Sequence, residues 1–163
     1  MLVPDLLEER FRHRAGTIVK EPRKRNPEGS FMSMVGTGSW SISYPDEWEG
    51  ESNGGVVSIR DPDGPGILQI SSYRKPGGVE MSEVLAAAKL SPAQREFLGG
   101  GRWGDFEGFQ LVHSEGDVFW RKWWLKKGEV HVFVTYNCPL SDKDAEAEVV
   151  NEMMDTLSGG DDP

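Results

Sequence analysis

Three strand-like runs separated by very short turns constrain this chain more than any other feature. FEGFQLVH (106–113), DVFWRKWWLKK (117–127) and EVHVFVTYNC (129–138) have the length and the β-branched and aromatic content of strands. Glu115-Gly116 and Lys127-Gly128 stand between them as tight turns. Connections this short join antiparallel neighbours, because a parallel pair needs a crossover of a dozen or more residues. The sequence therefore predicts a three-stranded antiparallel meander.

Upstream, Trp40, Ile42 and Tyr44 alternate with Ser39, Ser41 and Ser43, the period of a half-buried strand. Pro45-Asp46 ends that strand, and Trp48 is expected to fold back onto the core. VVSIRD (56–61) and ILQISSYRK (67–75) read as two strands around the turn DPDGPG. Residues 80–98 read as helical with a break at Pro92, and Gly99 to Gly101 as the exit. A final helix is expected with Ser141 as N-cap, acidic residues in its first turn and a stripe of Val149, Val150, Met153, Met154 and Leu157. Gly159 stops it. Strands, helix, strands, helix is the order of an α+β fold, an antiparallel β-sheet flanked by helices.

The chain of 163 residues suits one domain with a real core. Residues 1–30 read as an N-terminal arm and residues 31–160 as the single α+β domain. Within the arm, Asp5 to Arg14 fits a short amphipathic helix with Leu6, Leu7 and Phe11 on one side, and KEPRKRNPEG (20–29) is expected to be irregular and exposed. No stretch approaches the roughly 20 apolar residues of a membrane helix. The first residues turn charged at Asp5 and lack a signal-peptide core, and the single Cys138 has no internal disulfide partner. A cytoplasmic protein is the expectation.

Net charge is −9, and residues 141–163 carry one basic against eight acidic side chains. An acidic whole repels phosphate, which argues against a nucleic-acid binder. The local exception is FWRKWWLKKG (119–128), with three tryptophans and four basic residues in ten positions. With a two-residue turn at Lys127-Gly128, one face pairs Leu125 with Val130 and Trp123 with Val132. The other pairs Trp124 with His131, Lys122 with Phe133 and Trp120 with Thr135. A three-residue turn shifts the register by one. In either register each face holds a tryptophan and a basic residue. Both faces are then partly covered, with basic side chains laying their stems over the rings. The functional reading of the same stretch is a partner-binding surface of Trp120, Lys122, Trp124 and His131, since tryptophan with a basic rim suits an interface anchor.

Catalytic and metal constellations fail on spacing. GGGRWG (99–104) matches a dinucleotide loop formally, but a helix precedes it and a strand follows, the reverse of what phosphate binding needs. Asp61-Pro62-Asp63-Gly64 lacks the later ligands of a calcium loop. His113 is expected beside Val118 and His131 beside Trp124, roughly 20 Å apart along one strand, too far to share an ion. Cys138 and His131 point to opposite faces, which excludes a Cys–His pair. Asp46, Glu47, Glu49 and Glu51 read as an acidic loop beside Trp48, and Arg23-Lys24-Arg25 as a solvated tether. No catalytic, cofactor-binding or metal-ligating residue is assigned, and no cofactor is expected.

SWSISYPDEW (39–48), EGFQLVHSEGDVFWRKWWLKKGEVHVFVTYNC (107–138) and EVVNEMMDTLSG (148–159) together resemble the PsbP-like fold family. That group includes an extrinsic photosystem II protein, a nuclear-import factor that binds a small GTPase, and bacterial secretion adaptors. The resemblance covers residues 31–159. It implies an α/β/α sandwich with helices on both sides of the sheet, and binding or adaptor roles more than catalysis. It transfers no functional residue. The expected function is a non-enzymatic protein-binding or adaptor module, as monomer or homodimer, whose partner is another protein. The alternative is a small-molecule-binding protein or hydrolytic enzyme using the acidic, Trp48-containing loop rim.

Overall fold

Residues 19–21 and 33–160 are described in the computed structural model. Seven strands form the larger sheet. They are β4 (Glu49–Asn53), β5 (Val56–Arg60), β6 (Ile67–Arg74), β7 (Gly99–Trp103), β8 (Phe106–Glu115), β9 (Val118–Lys127) and β10 (Val130–Pro139). Their spatial order is β4-β5-β6-β10-β9-β8-β7, and each neighbouring pair is antiparallel. A smaller sheet of order β1-β2-β3-β11 contains β1 (Val19–Glu21), β2 (Ser33–Gly36), β3 (Trp40–Tyr44) and β11 (Ser158–Gly159). The helices are α1 (Met81–Ala88), α2 (Pro92–Arg95) and α3 (Ala147–Asp155), with one 3-10 turn at Leu140–Asp142.

The meander is present, and its turns sit one residue later than expected. Gly104-Asp105, Gly116-Asp117 and Gly128-Glu129 close the three hairpins of β7 to β10. Each of these glycines has φ of +59°. A II′ turn needs positive φ only at its first central residue, so glycine followed by an acidic residue suits it. Moving the last turn by one residue slides the β9–β10 register by two, so neither expected register is found. Trp124 faces Phe133, Lys122 faces Thr135 and Trp120 faces Asn137. Because side chains alternate with period two, the slide leaves every residue on the face expected from the two-residue turn. His113 lies opposite Trp120 rather than Val118, and His131 opposite Lys126 rather than Trp124.

The two faces of the larger sheet are covered differently. On one, β2, β3 and α3 bury Trp40, Ile42, Tyr44, Val150, Met153 and Met154 against Val57, Leu68, Ile70, Trp123, Val132 and Tyr136. Full burial of aliphatic side chains like those of α3 contributes roughly 1.5–3 kcal/mol each. The Trp40 indole N–H donates to Ser72 Oγ at 2.9 Å, tying the two sheets together. Trp48, 6% exposed, joins this core as expected. On the other face, α1 lays Val84 against Tyr73, Leu111 and Trp124. Glu83 accepts from the Glu80 backbone N–H at the start of α1, and Lys89, with φ of +52°, ends it.

The result is an antiparallel, predominantly β member of the α+β class, with a second sheet where a layer of helices alone was expected. Three local expectations are corrected. The last helix begins at Ala147 with Glu146 at its N-cap, not at Ser141. Leu140 N–H bonds Asp117 O at 2.7 Å, which keeps residues 140–142 in a separate single turn. EGESN (49–53) and GGGRW (99–103), read as acidic loop and helix exit, are the edge strands β4 and β7. Their hairpin neighbours impose a ladder on sequences of poor intrinsic strand preference. β1 lies inside the segment read as an arm. The helix expected at 5–14 and Arg23-Lys24-Arg25 fall outside the described residues. Among the described residues, no helix is long and apolar enough to cross a membrane.

Candidate functional site

β9 has a strand on each side, and the four residues singled out from the sequence share one of its sheet faces. The structure divides them. Trp124 is 3% exposed and His131 fully buried. Trp124 packs with Val84 and Leu111 under α1, its ring 5.7 Å from that of Phe133. His131 Nδ1 lies 3.1 Å from the Tyr73 hydroxyl, and the two rings are tilted at 5.1 Å. These two residues therefore build the core beneath α1. Trp120 and Lys122 are half-buried, further along the strand. The Lys122 ammonium lies 4.9 Å from the centre of the Trp120 ring, a cation–π distance. On the opposite face Arg121 repeats the arrangement over Trp123 at 4.8 Å, and donates to Gln110 Oε1 and Asn151 Oδ1.

The surroundings of Trp120 are polar. His113 is its cross-strand partner on β8 and Asn137 its partner on β10. Thr135 sits opposite Lys122, and Gln69 opposite Thr135. Gln69 Nε2 donates to Ser58 Oγ at 3.2 Å. The Trp120 indole N–H is buried with no hydrogen-bond partner among the described residues. Burial lowers the pKa of His113, and the Lys122 charge lowers it further, which favours the neutral imidazole. This end of the face offers an aromatic plane, a cation and amide and hydroxyl groups on a rigid ladder.

The remaining candidate residues lie elsewhere in the fold. Cys138 is 2% exposed in the main core, on the face opposite His131, and burial raises its thiol pKa. No three His, Cys, Asp or Glu side chains among the described residues come together to hold a metal ion. Trp48 is buried, so the rim needed by the enzyme or small-molecule reading lacks its tryptophan. Glu49 and Glu51 sit exposed on the edge strand β4. A shallow cleft of about 270 Å³ lies between Ser39, Arg74, Lys127, Glu129 and Gly159. Arg74 is engaged there by Glu129 at 3.1 Å and by Ser39 Oγ at 3.2 Å.

One polar contact escaped the sequence reading. The Tyr136 hydroxyl donates to Glu146 Oε1 at 2.7 Å inside the protein. Glu146 looked like one more acid of the final helix, and no spacing rule brings it under β10.

No protein-family model matches the chain, and no curated protein matches it. Among solved structures it is similar to a protein from Bacteroides thetaiotaomicron VPI-5482, with 19% identity and a TM-score of 0.56. That match covers 74% of this chain and 44% of the Bacteroides protein, so the chain spans less than half of that relative's length. A second match is LpqN of Mycobacterium tuberculosis, described as involved in cell envelope biogenesis, with 15% identity and a TM-score of 0.46 over 93% of this chain and 95% of that one. The likeness to the Bacteroides protein is one of fold.

Proposed function

We propose that this protein is a non-enzymatic binding module that engages another protein through the end of the sheet face bearing Trp120 and Lys122. The observation that carries the reading is the half-buried Trp120–Lys122 pair itself, with its ammonium 4.9 Å from the ring, set among His113 and Asn137. Tryptophan and cationic side chains held on a rigid scaffold are the groups from which interface anchors are made. Trp124 and His131 lie further along the same face, buried under α1, and do not form that surface. An adaptor role, the helix-flanked PsbP-like sandwich and a cytoplasmic setting belong to the same proposal.

The test is affinity capture with the wild-type protein and a Trp120→Ala/Lys122→Ala variant as baits, followed by titration of the purified partner by calorimetry. The variant is checked first for an unchanged unfolding transition. A partner bound by the wild type and weakened tenfold or more in the variant supports the reading. Equal affinity for both proteins refutes it.

A further inference from the structure

We propose that the β7 edge of the seven-stranded sheet is a homodimer interface, in which a second copy of this chain adds its own β7 antiparallel across a two-fold axis at Gly101. Among the described residues β7 is an edge strand, paired with β8 alone. Trp103 and Phe106 flank the two-residue loop, so they exchange both backbone hydrogen bonds. Alternation then makes Gly101↔Gly108 and Gly99↔Gln110 bonded pairs as well. The N–H and C=O groups of Gly100 and Arg102 consequently point outward, and no described residue takes them.

Natural sheets protect such edges with charge, proline or bulges. The opposite edge does so, since β4 carries exposed Glu49 and Glu51. β7 does not. Gly99, Gly100 and Gly101 are exposed, and the space where a side chain would stand at Gly99 is open. A flat glycine run admits a second backbone at close range.

The edge is also complementary to itself. In the proposed register Gly100 exchanges two backbone bonds with the partner's Arg102, and Arg102 exchanges two with the partner's Gly100. In the same register Trp103 stands opposite the partner's Gly99, with its own ring over Gly101 and against the core. Each large side chain of the strand meets a glycine. β7 carries no acidic residue, and its arginine already has Glu107 3.9 Å away in the same chain. Phe97, 73% exposed just before the strand, comes against the partner's Gly104-Asp105 turn.

A strand pair this short falls below the roughly 1,200 Å² at which stable complexes begin, so the dimer is weak and concentration-dependent. The charge of −9 on each copy opposes it, and added salt strengthens it by screening.

Sedimentation of the full chain from low micromolar to millimolar concentration tests the proposal, with amide hydrogen exchange read at both extremes. A monomer–dimer equilibrium is expected. The Gly100 and Arg102 amides should exchange fast when dilute and at least tenfold more slowly when concentrated, while Gly101 is protected throughout. Gly100→Pro removes an outward N–H without touching the β8 ladder, and should abolish the dimer. A monomer at every concentration overturns the proposal. So does a dimer that survives Gly100→Pro or leaves the Gly100 and Arg102 amides unprotected. If the proline variant does not fold, the exchange pattern of the wild type decides alone.

Discussion

Tyr136 on β10 donates its hydroxyl proton to Glu146 Oε1 across 2.7 Å, and both residues are buried, at 1% and 7% exposure. Glu146 is also the N-cap of α3. The pair therefore joins the central sheet to the helix that covers it. The DPDGPG turn closes over it because Gly64 and Gly66 carry no side chains. A Cβ at Gly64 would overlap Glu146 Oε2, and one at Gly66 would overlap the Tyr136 hydroxyl. Tyr136→Phe leaves the carboxyl without this donor, and an expected loss of about 1–3 kcal/mol follows from a buried polar group left unpaired. Urea unfolding measures it. In a double-mutant cycle with Glu146→Ala, which removes the acceptor, additive losses would show that the two side chains do not support each other.

The same pair sets an alkaline limit. Burial pushes the Tyr136 pKa far up, and the hydrogen bond to Glu146 adds to the shift. In the unfolded chain this phenol ionises near pH 10. Above that pH the unfolded state has lost a proton that the folded state keeps, so stability falls as pH rises. The contribution is complete below about pH 10. Tyr136→Phe should unfold less steeply with pH above that point than wild type, in melts taken across the alkaline range. Parallel curves would show that Tyr136 does not titrate on unfolding.

His113 gives the opposite slope on the acid side. Burial first, and the neighbouring Lys122 second, lower its pKa in the folded protein. Between the unfolded value near 6.5 and the lower folded value, the unfolded chain binds the proton more readily. Stability is therefore lost as pH falls through this window. His113→Gln should flatten that segment of the stability profile. An undiminished slope in the variant would assign the acid sensitivity to other groups.

How much of this was legible depended on whether neighbouring residues or distant ones decide the outcome. The meander was legible because its signal is local, in apolar runs and glycine turns. The β3 strand and the apolar stripe of Val150, Met153 and Met154 were legible for the same reason. The β9–β10 register was not, since a one-residue ambiguity in the turn moves the pairing by two. Choosing Gly128 as the first turn residue depends on its positive φ, which composition does not display. β4 and β7 were missed because glutamate and glycine form strands there only through their partners. Of the four chosen site residues, period two placed all on one face. Periodicity does not say where along that face α1 lies, and α1 is what separates buried Trp124 and His131 from Trp120 and Lys122.

That separation predicts unequal costs for two tryptophans four residues apart. Trp124→Ala opens a hole under α1 next to Val84 and Leu111 and should cost about 3–5 kcal/mol, in the range of large core truncations. Trp120→Ala removes a half-buried ring and should cost about 1 kcal/mol, typical of a single substitution outside the core. Chemical denaturation of the two variants gives the comparison. Equal costs would place both rings in the core and remove the surface on which the binding proposal stands.

A close backbone approach in the meander is tested by one methyl group. Gly108 lies on β8 opposite Leu125 of β9 and Gly101 of β7. A Cβ at this position would fall on the carbonyl oxygen of Trp124, and on the Leu125 Cα at 2.9 Å. Both obstacles are backbone, so no rotamer change relieves them. Gly108→Ala must push β8 away from β9, breaking ladder bonds between the two strands. It should cost at least about 1–3 kcal/mol, the usual range for overpacking. Gly38 is the matched control. It lies between β2 and β3, outside the left-handed region, with nothing within 4 Å of an added Cβ. Gly38→Ala should be neutral or stabilising by about 0.4–1 kcal/mol, because alanine reduces the freedom of the unfolded chain. Urea midpoints of the two variants, moving in opposite directions, would locate the constraint in the close approach of β8 to β9. A Gly108→Ala protein as stable as wild type would mean that the two strands do not meet at this register.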